Sequence, residues 1–307
     1  MRRVVHGQPE VVRLTLVALF AGGHVLLEGA PGLGKTLLAR TIARTLGCRF
    51  QRIQFTPDLM PADVTGGNVY NQAEHRFVFV AGPVFSELLL ADEVNRAPAR
   101  TQAALLEAMA DRQVTIDGTT RRLARPFFTM ATQNPVESEG TWPLPEAQLD
   151  RFMVKVLVPS PPKSVEVAIL NAHLAGFDPA SLDEQVLPPV LDSAGLVRAQ
   201  DAVRRVRVEP PVIDYIAELV GRTRAHRSVF LGASPRASVS LLLGAQVIAA
   251  CEGRNFVIPD DVKELAPAVL RHRLLLHAEA EIDGATPEEV VAELLRDTPT
   301  PSSRTAG

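Results

Sequence analysis

Gly29-Ala30-Pro31-Gly32-Leu33-Gly34-Lys35-Thr36 reads G-x-x-x-x-G-K-T, and no other stretch constrains the fold as much. This spacing builds a phosphate-binding loop when a strand precedes it and a helix follows. Both flanks fit. His24-Val-Leu-Leu-Glu28 is a short apolar run that reads as a buried strand, and Leu37 to Leu46 carries the apolar spacing of a helix. In that context the backbone N–H groups of residues 32–36 can wrap phosphates, and the helix N-terminus adds positive potential. Gly32 and Gly34 admit the tight loop without a clashing Cβ. Lys35 neutralises the outer phosphates, and the Thr36 hydroxyl suits Mg²⁺.

The rest of the chain is ample for a two-domain protein: 307 residues, 46% of them hydrophobic and 22% charged. The net charge of −3 supplies no basic field, so nucleic acid is disfavoured as a partner. Cys48 and Cys251 match no metal or redox spacing and read as small core residues in a reducing compartment. No apolar run approaches the roughly 20 residues of a membrane span. Arg2, Arg3 and Arg13 before Leu14–Gly23 loosely resemble a signal peptide. Pro9 and Glu10 interrupt that pattern, and cleavage after Gly23 would leave the loop's strand at a free end. An amphipathic helix and a cytoplasmic location are therefore expected.

Pro159-Ser-Pro-Pro162 is the clearest punctuation. Before it, strand-like and helix-like patterns alternate, as in a parallel α/β sheet. After it, the pattern is almost wholly helical: Lys163–Leu174, Gly195–Val203, Val212–Thr223, Ser234–Cys251, Pro259–Leu270 and Pro287–Leu295. The expected organisation is an α/β core over 1–160, a small all-α lid over 161–296 and a disordered tail over 297–307. Two hairpins interrupt the α/β region. Asn68–Tyr70 pairs with Phe77–Val80, and Gln113–Ile116 turns through Asp117-Gly118 into Thr119–Leu123. Either could be an ordinary sheet edge.

Further chemistry follows the loop. Leu88-Leu-Leu-Ala-Asp92-Glu93 is an apolar strand ending in paired carboxylates. Beside bound phosphates, Asp92 can hold Mg²⁺ through water and Glu93 can orient and activate an attacking water. Asn134 ends the next strand; it suits holding that water, or forms an Asn-Pro turn with Pro135. Leu144–Phe152 reads as a short helix before strand Val154–Val158. Within it, Arg151 is either a structural partner of Asp150 or an arginine finger. Arg236, in Gly232-Ala-Ser-Pro-Arg236, is either a solvated first-turn arginine or a lid residue that meets phosphates. The dinucleotide fingerprint fails, since Leu37 stands where a third small residue is needed. No HExxH or Cys/His cluster is present, which leaves Mg²⁺ as the expected metal. His24, His75, His173, His226, His272 and His277 read as surface or helix residues.

These elements, in this order, resemble an AAA+ ATPase of the MoxR family. The matching stretches are Gly7-Gln8, GAPGLGKT at 29–36, IQFTPDLMPADVTG at 53–66, LLADEVNRAPARTQAALLEAM at 89–109, ATQNP at 131–135, LPEAQLDRF at 144–152, GASPRAS at 232–238 and LAPAVLRHRL at 265–274. The resemblance spans almost all of residues 4–280. It implies a P-loop NTPase core with a helical lid, and ATP with Mg²⁺ as ligands. Lys35 and Thr36 would be Walker A, Asp92 and Glu93 Walker B, and Asn134 sensor 1. Arg151 would be a finger donated to a neighbouring subunit, and Arg236 sensor 2. Gly7 and Gln8 resemble the segment that packs against adenine. The hairpins look like the helix-2 insert and the pre-sensor-1 hairpin. The implied assembly is a homo-oligomer, a hexameric ring, acting on a protein client with a von Willebrand factor A domain partner. The resemblance leaves the role of Arg96 unassigned.

Rival readings differ in what they require. A nucleic-acid-directed AAA+ motor would show ATPase stimulation by DNA or RNA, and a chelatase-type subunit would need a companion chelatase. An ATP-gated scaffold would lack turnover, against the full Lys35–Glu93–Arg151 set. A small-molecule kinase would leave the helical second domain and Arg236 unexplained.

Overall fold

The structure is a computed structural model and describes residues 1, 4–135, 140–179, 182 and 187–301. It divides into two compact units. The first comprises Met1–Arg13, His24–Arg151 and Val156–Arg198; the second comprises Leu14–Gly23, Phe152–Lys155 and Ala199–Gly307. No helix of the described residues is long and apolar enough to cross a membrane.

The chain starts with α1 (Pro9–Ala21), which runs across the division between the units, then β1 (Val25–Glu28), α2 (Lys35–Thr45) and β2 (Phe50–Gln54). A short α3 (Pro61–Thr65) leads into the hairpin β3 (Gly66–Asn71) and β4 (Arg76–Ala81). Next come β5 (Leu88–Asp92) and α4 (Ala99–Asp111), then a second hairpin, β6 (Gln113–Ile116) and β7 (Thr119–Arg122). β8 (Phe128–Gln133), α5 (Glu146–Leu149), β9 (Val154–Leu157) and α6 (Lys163–Leu174) follow. The remaining elements are α7 (Ser193–Val203), α8 (Pro210–Thr223), β10 (Val229–Leu231), α9 (Pro235–Cys251), α10 (Pro259–Leu270), β11 (Leu275–Leu276), α11 (Ala278–Ile282) and α12 (Pro287–Asp297). Of the tail expected from 297 onward, residues 302–307 lie outside the described residues.

Five strands form one sheet in the order β2-β5-β8-β1-β9. The pairings β2–β5, β5–β8 and β8–β1 are parallel, with Gln54 opposite Asp92, Ala91 opposite Ala131 and Glu28 opposite Gln133. All four of these strands therefore end at the same edge. β5 and β8 are buried nearly throughout, which accounts for the unbroken apolar run Leu88–Ala91 in β5, while β8 buries Thr129 and Thr132 among its apolar residues. α2 buries Leu38, Ala39, Ile42 and Ala43, one stripe at helical spacing.

Both hairpins form. Asp117 (φ 48°) and Gly118 (φ 75°) take the left-handed backbone that a two-residue turn between β6 and β7 needs. In β3–β4, Tyr70 lies opposite Phe77 with ring centroids 5.4 Å apart. α5 is shorter than expected: it opens after Pro145, and Asp150 caps its end.

In the second unit α9 packs against α8 and α10, and α12 packs against α8 and α10. Gly244 of α9 faces Leu265 of α10 so closely that a Cβ would overlap it, so glycine sets this crossing. Helix starts carry their expected chemistry. Ser234 Oγ accepts the Arg236 N–H at 3.2 Å, and Thr286 and Glu289 exchange side-chain and backbone hydrogen bonds.

Three readings need correction. Cys251 is exposed at the end of α9 rather than in the core, because the helix ends there on its solvent side. His24 and His272 are buried, not surface residues. His24 Nδ1 accepts the Thr129 backbone N–H at 3.0 Å, so Nε2 carries the proton and donates to Met109 O at 3.3 Å. Burial pushes its pKa down to about 4. His272 Nε2 meets Phe152 O at 3.0 Å, and burial and the Arg273 charge push its pKa well below the ordinary value.

Candidate functional site

The strand ends of the first unit open into a cavity of about 610 Å³, ordinary for a small-molecule site. Residues 31–37 form one wall, and Arg52, Gln54, Asp92 and Glu93 form another. The remaining wall is largely apolar and includes Val4, Val5, Ile169, Ala172 and Phe177. One half thus offers charge and backbone N–H groups, and the other offers hydrocarbon and ring surface. A nucleotide has the same division.

The loop leaves β1 at Glu28 and enters α2 at Lys35. Gly29 is buried against the end of the sheet; a Cβ there would meet Val158 O at 2.8 Å. Ala30 follows it, half-buried. Gly32 and Gly34 have φ of +80° and +77°, and a Cβ on either would meet nothing within 4 Å. Their requirement is therefore backbone conformation and open space over the loop, not packing. Lys35 is 9% exposed, and its Nζ donates to Gly29 O at 2.6 Å. Burial lowers its pKa, while Asp92, Glu93 and Glu28 pull it the other way. A buried ammonium lining an open cavity fits an anionic ligand.

Asp92 and Glu93 sit where β5 ends, next to β2 and β8. Asp92 is 8% exposed. Its Oδ1 accepts the Thr132 hydroxyl at 2.6 Å, and its Oδ2 accepts Arg52 Nη2 at 2.8 Å and Nε at 3.1 Å. Glu93 takes the left-handed conformation (φ 57°, ψ 52°), which costs a non-glycine residue about 1–2 kcal/mol. Its N–H donates to Thr132 Oγ1 at 2.8 Å. Its Oε2 accepts Gln54 Nε2 at 2.8 Å and lies 3.1 Å from Arg96 Nε. Thr132 thus fixes both acidic residues at once. Thr36 and Asp92, both on the cavity wall, form a hard-oxygen donor set that fits Mg²⁺.

The other expected site residues fall as follows. Gln8 lines the cavity, and its Nε2 donates to Leu33 O at 2.9 Å, tying the N-terminal segment to the loop. Gly7 (φ +71°) lies against Val165 of α6, where a Cβ would clash at 2.5 Å. Asn134 is buried one residue past β8, at the same sheet edge as Asp92. Arg151 follows α5 and its cap Asp150, half-buried. Arg236 lies exposed in the first turn of α9, in the second unit.

Arg52, Gln54, Arg96, Thr132 and the apolar wall are the residues that sequence reasoning missed. Arg52 and Gln54 alternate on one face of β2, but only the strand order brings them to Asp92 and Glu93. The i,i+3 spacing of Glu93 and Arg96 was a usable signal.

Known proteins share this architecture. The ATPase family associated with various cellular activities (AAA) matches residues 24–154, and the AAA lid domain matches residues 221–294. A crystal structure of a presumed ATPase from Cytophaga hutchinsonii superposes with a TM-score of 0.90 at 40% identity, covering 98% of this chain and 92% of that one. The chain is 46% identical to the uncharacterized protein YeaC of Bacillus subtilis, covering 100% of this chain and 94% of that protein. It is 43% identical to Chaperone MoxR1 of Mycobacterium tuberculosis (96% and 79%) and 32% identical to Protein MoxR of Methylorubrum extorquens (96% and 90%). With the loop, the paired carboxylates and the sheet order all in place, these likenesses agree: the chain belongs to the MoxR family of AAA+ ATPases.

Proposed function

We propose that this protein is a Mg²⁺-dependent ATPase that works in the cytoplasm as a homo-oligomeric, hexameric ring. Its task is chaperone-like remodelling or maturation of a protein client, together with a von Willebrand factor A domain partner. The observation that carries the ATPase reading is that Lys35, Thr36, Asp92 and Glu93 line one cavity. The name of the Mycobacterium tuberculosis relative supports the chaperone reading.

In this reading the apolar wall takes the base, and Gln8 holds the segment beside it. Backbone N–H groups of residues 32–36 take the phosphates, and Lys35 exchanges its bond to Gly29 O for a phosphate oxygen. Mg²⁺, held by Thr36 and Asp92, would offset phosphate charge. With Oε2 of Glu93 engaged by Gln54 and Arg96, Oε1 is the oxygen that orients and deprotonates water. Asn134 steadies that water or reads the γ-phosphate. Arg151 stabilises charge in a neighbouring subunit's site, and Arg236 answers to nucleotide from the lid.

Subunit mixing tests the ring and the finger together. Lys35→Ala and Arg151→Ala should each lose about 10³-fold in ATPase activity. Mixed, they create interfaces that join an intact loop to an intact finger, and a measurable fraction of activity should return. A mixture that co-assembles by light scattering yet shows only summed background would refute a trans role.

A further inference from the structure

Asp92 is proposed to hold Mg²⁺, yet both of its oxygens are already engaged. Thr132 occupies Oδ1, and the Arg52 guanidinium occupies Oδ2 through two donors, at 2.8 and 3.1 Å. The same guanidinium donates to Gln54 Oε1 at 2.7 Å, and Gln54 in turn holds Glu93 at 2.8 Å. Arg52 therefore holds one acidic residue directly and the other through one amide. The two partners differ in freedom. The Arg52 side chain is 47% exposed and can leave into water, whereas the Asp92 side chain is 12% exposed and cannot follow. A divalent cation held by Asp92 would share that carboxylate with the Arg52 charge, and the two would repel.

We propose that Arg52 is the resting counterion of Asp92, displaced when the metal-bearing nucleotide binds, so that Arg52 sets the metal dependence of binding. This rests on reading the cavity as a Mg²⁺–nucleotide site. Arg52 acts on the metal through Asp92 and is a positioning residue. While the site is empty it neutralises a buried carboxylate; during binding it raises the metal concentration needed. Gln54 stays bonded to Glu93 throughout, so the two acidic residues can be released separately.

The test measures affinity for a fluorescent, non-hydrolysable ATP analogue on the full-length chain, with saturating Mg²⁺ and with EDTA. The quantity of interest is the ratio of the two affinities, which cancels any direct attraction between the arginine and the nucleotide. Arg52→Gln should raise that ratio about 3- to 5-fold, the worth of a half-exposed ion pair. Arg52→Lys keeps the charge but loses the two-pronged geometry and should raise it less. If Arg52→Gln does not fold, the lysine variant carries the test. A ratio unchanged or lowered would overturn the proposal. If the wild-type chain binds no nucleotide, the cavity reading fails and this inference with it. Normal wild-type binding with an unmoved ratio overturns this inference alone.

Discussion

Each unit of the molecule buries a cation, and the two are held in opposite ways. In the first unit, Lys35 donates to the carbonyl of Gly29 at the wall of an open cavity. In the second, Arg273 donates to three carbonyls: Val269 at 2.5 Å, Phe152 at 2.7 Å and Met153 at 3.0 Å. An arginine fork saturated by backbone acceptors clamps a chain turn, and its cost of burial is met inside the protein. An ammonium beside open space has donor capacity left over for a ligand. Burial of a charge therefore does not by itself mark a functional site. What distinguishes the two regions is whether the protein alone completes the charge's partners. The acidic residues of the first unit extend the point. Thr132, Arg52, Gln54 and Arg96 engage Asp92 and Glu93, and the partner proposed to exchange, Arg52, reaches Asp92 from a half-exposed side chain.

The comparison can be broken by removing each cation in turn. Arg273→Met leaves buried carbonyls without their donor and should cost about 2–4 kcal/mol of stability. Lys35→Met removes a charge that the fold does not need and should change stability by less than about 0.5 kcal/mol. Urea unfolding curves measure both. Equal losses would mean that Lys35 is as structural as Arg273.

Histidine sharpens it with a smaller effect that both regions share. His24 in the first unit and His272 in the second are buried with lowered pKa values. The folded protein resists a proton that the unfolded chain accepts near pH 6.5. The contribution of His24 is therefore complete above that pH and is lost as pH falls toward about 4, and that of His272 has the same sign. For His24 alone, the difference between pH 7 and pH 5 is about 2 kcal/mol. Stability that stayed level over that interval would contradict the neutral, buried assignment.

Much of this was legible in the sequence, for local reasons. The P-loop, the Asp92-Glu93 strand end, the Asp117-Gly118 turn and the six main helices of the later chain all rest on short-range chemistry: phosphate geometry, left-handed turns, caps and apolar spacing. What stayed hidden depends on strand order. Nothing local to Arg52 or Gln54 announces that β2 pairs with β5, and nothing in Ala-Thr132-Gln says that this hydroxyl bridges Asp92 and the Glu93 N–H. His24 looked like an ordinary polar residue at a strand entrance because its two partners, Thr129 and Met109, are distant in sequence. The apolar wall of the cavity was missed for the same reason, being assembled from the first residues and from α6.

The central claim is that the strand-end cavity of the first unit hydrolyses ATP with Glu93 as the base. Glu93→Gln tests it most directly. The amide keeps the size of the side chain and removes only the ability to take a proton, so nucleotide contacts persist while water activation is lost. Incubated with Mg²⁺ and ATP, then freed of unbound nucleotide and denatured, the variant should release intact ATP, with turnover at least 100-fold below wild type; the wild-type chain should release ADP. A Glu93→Gln protein that yields ADP at near wild-type turnover would contradict the account.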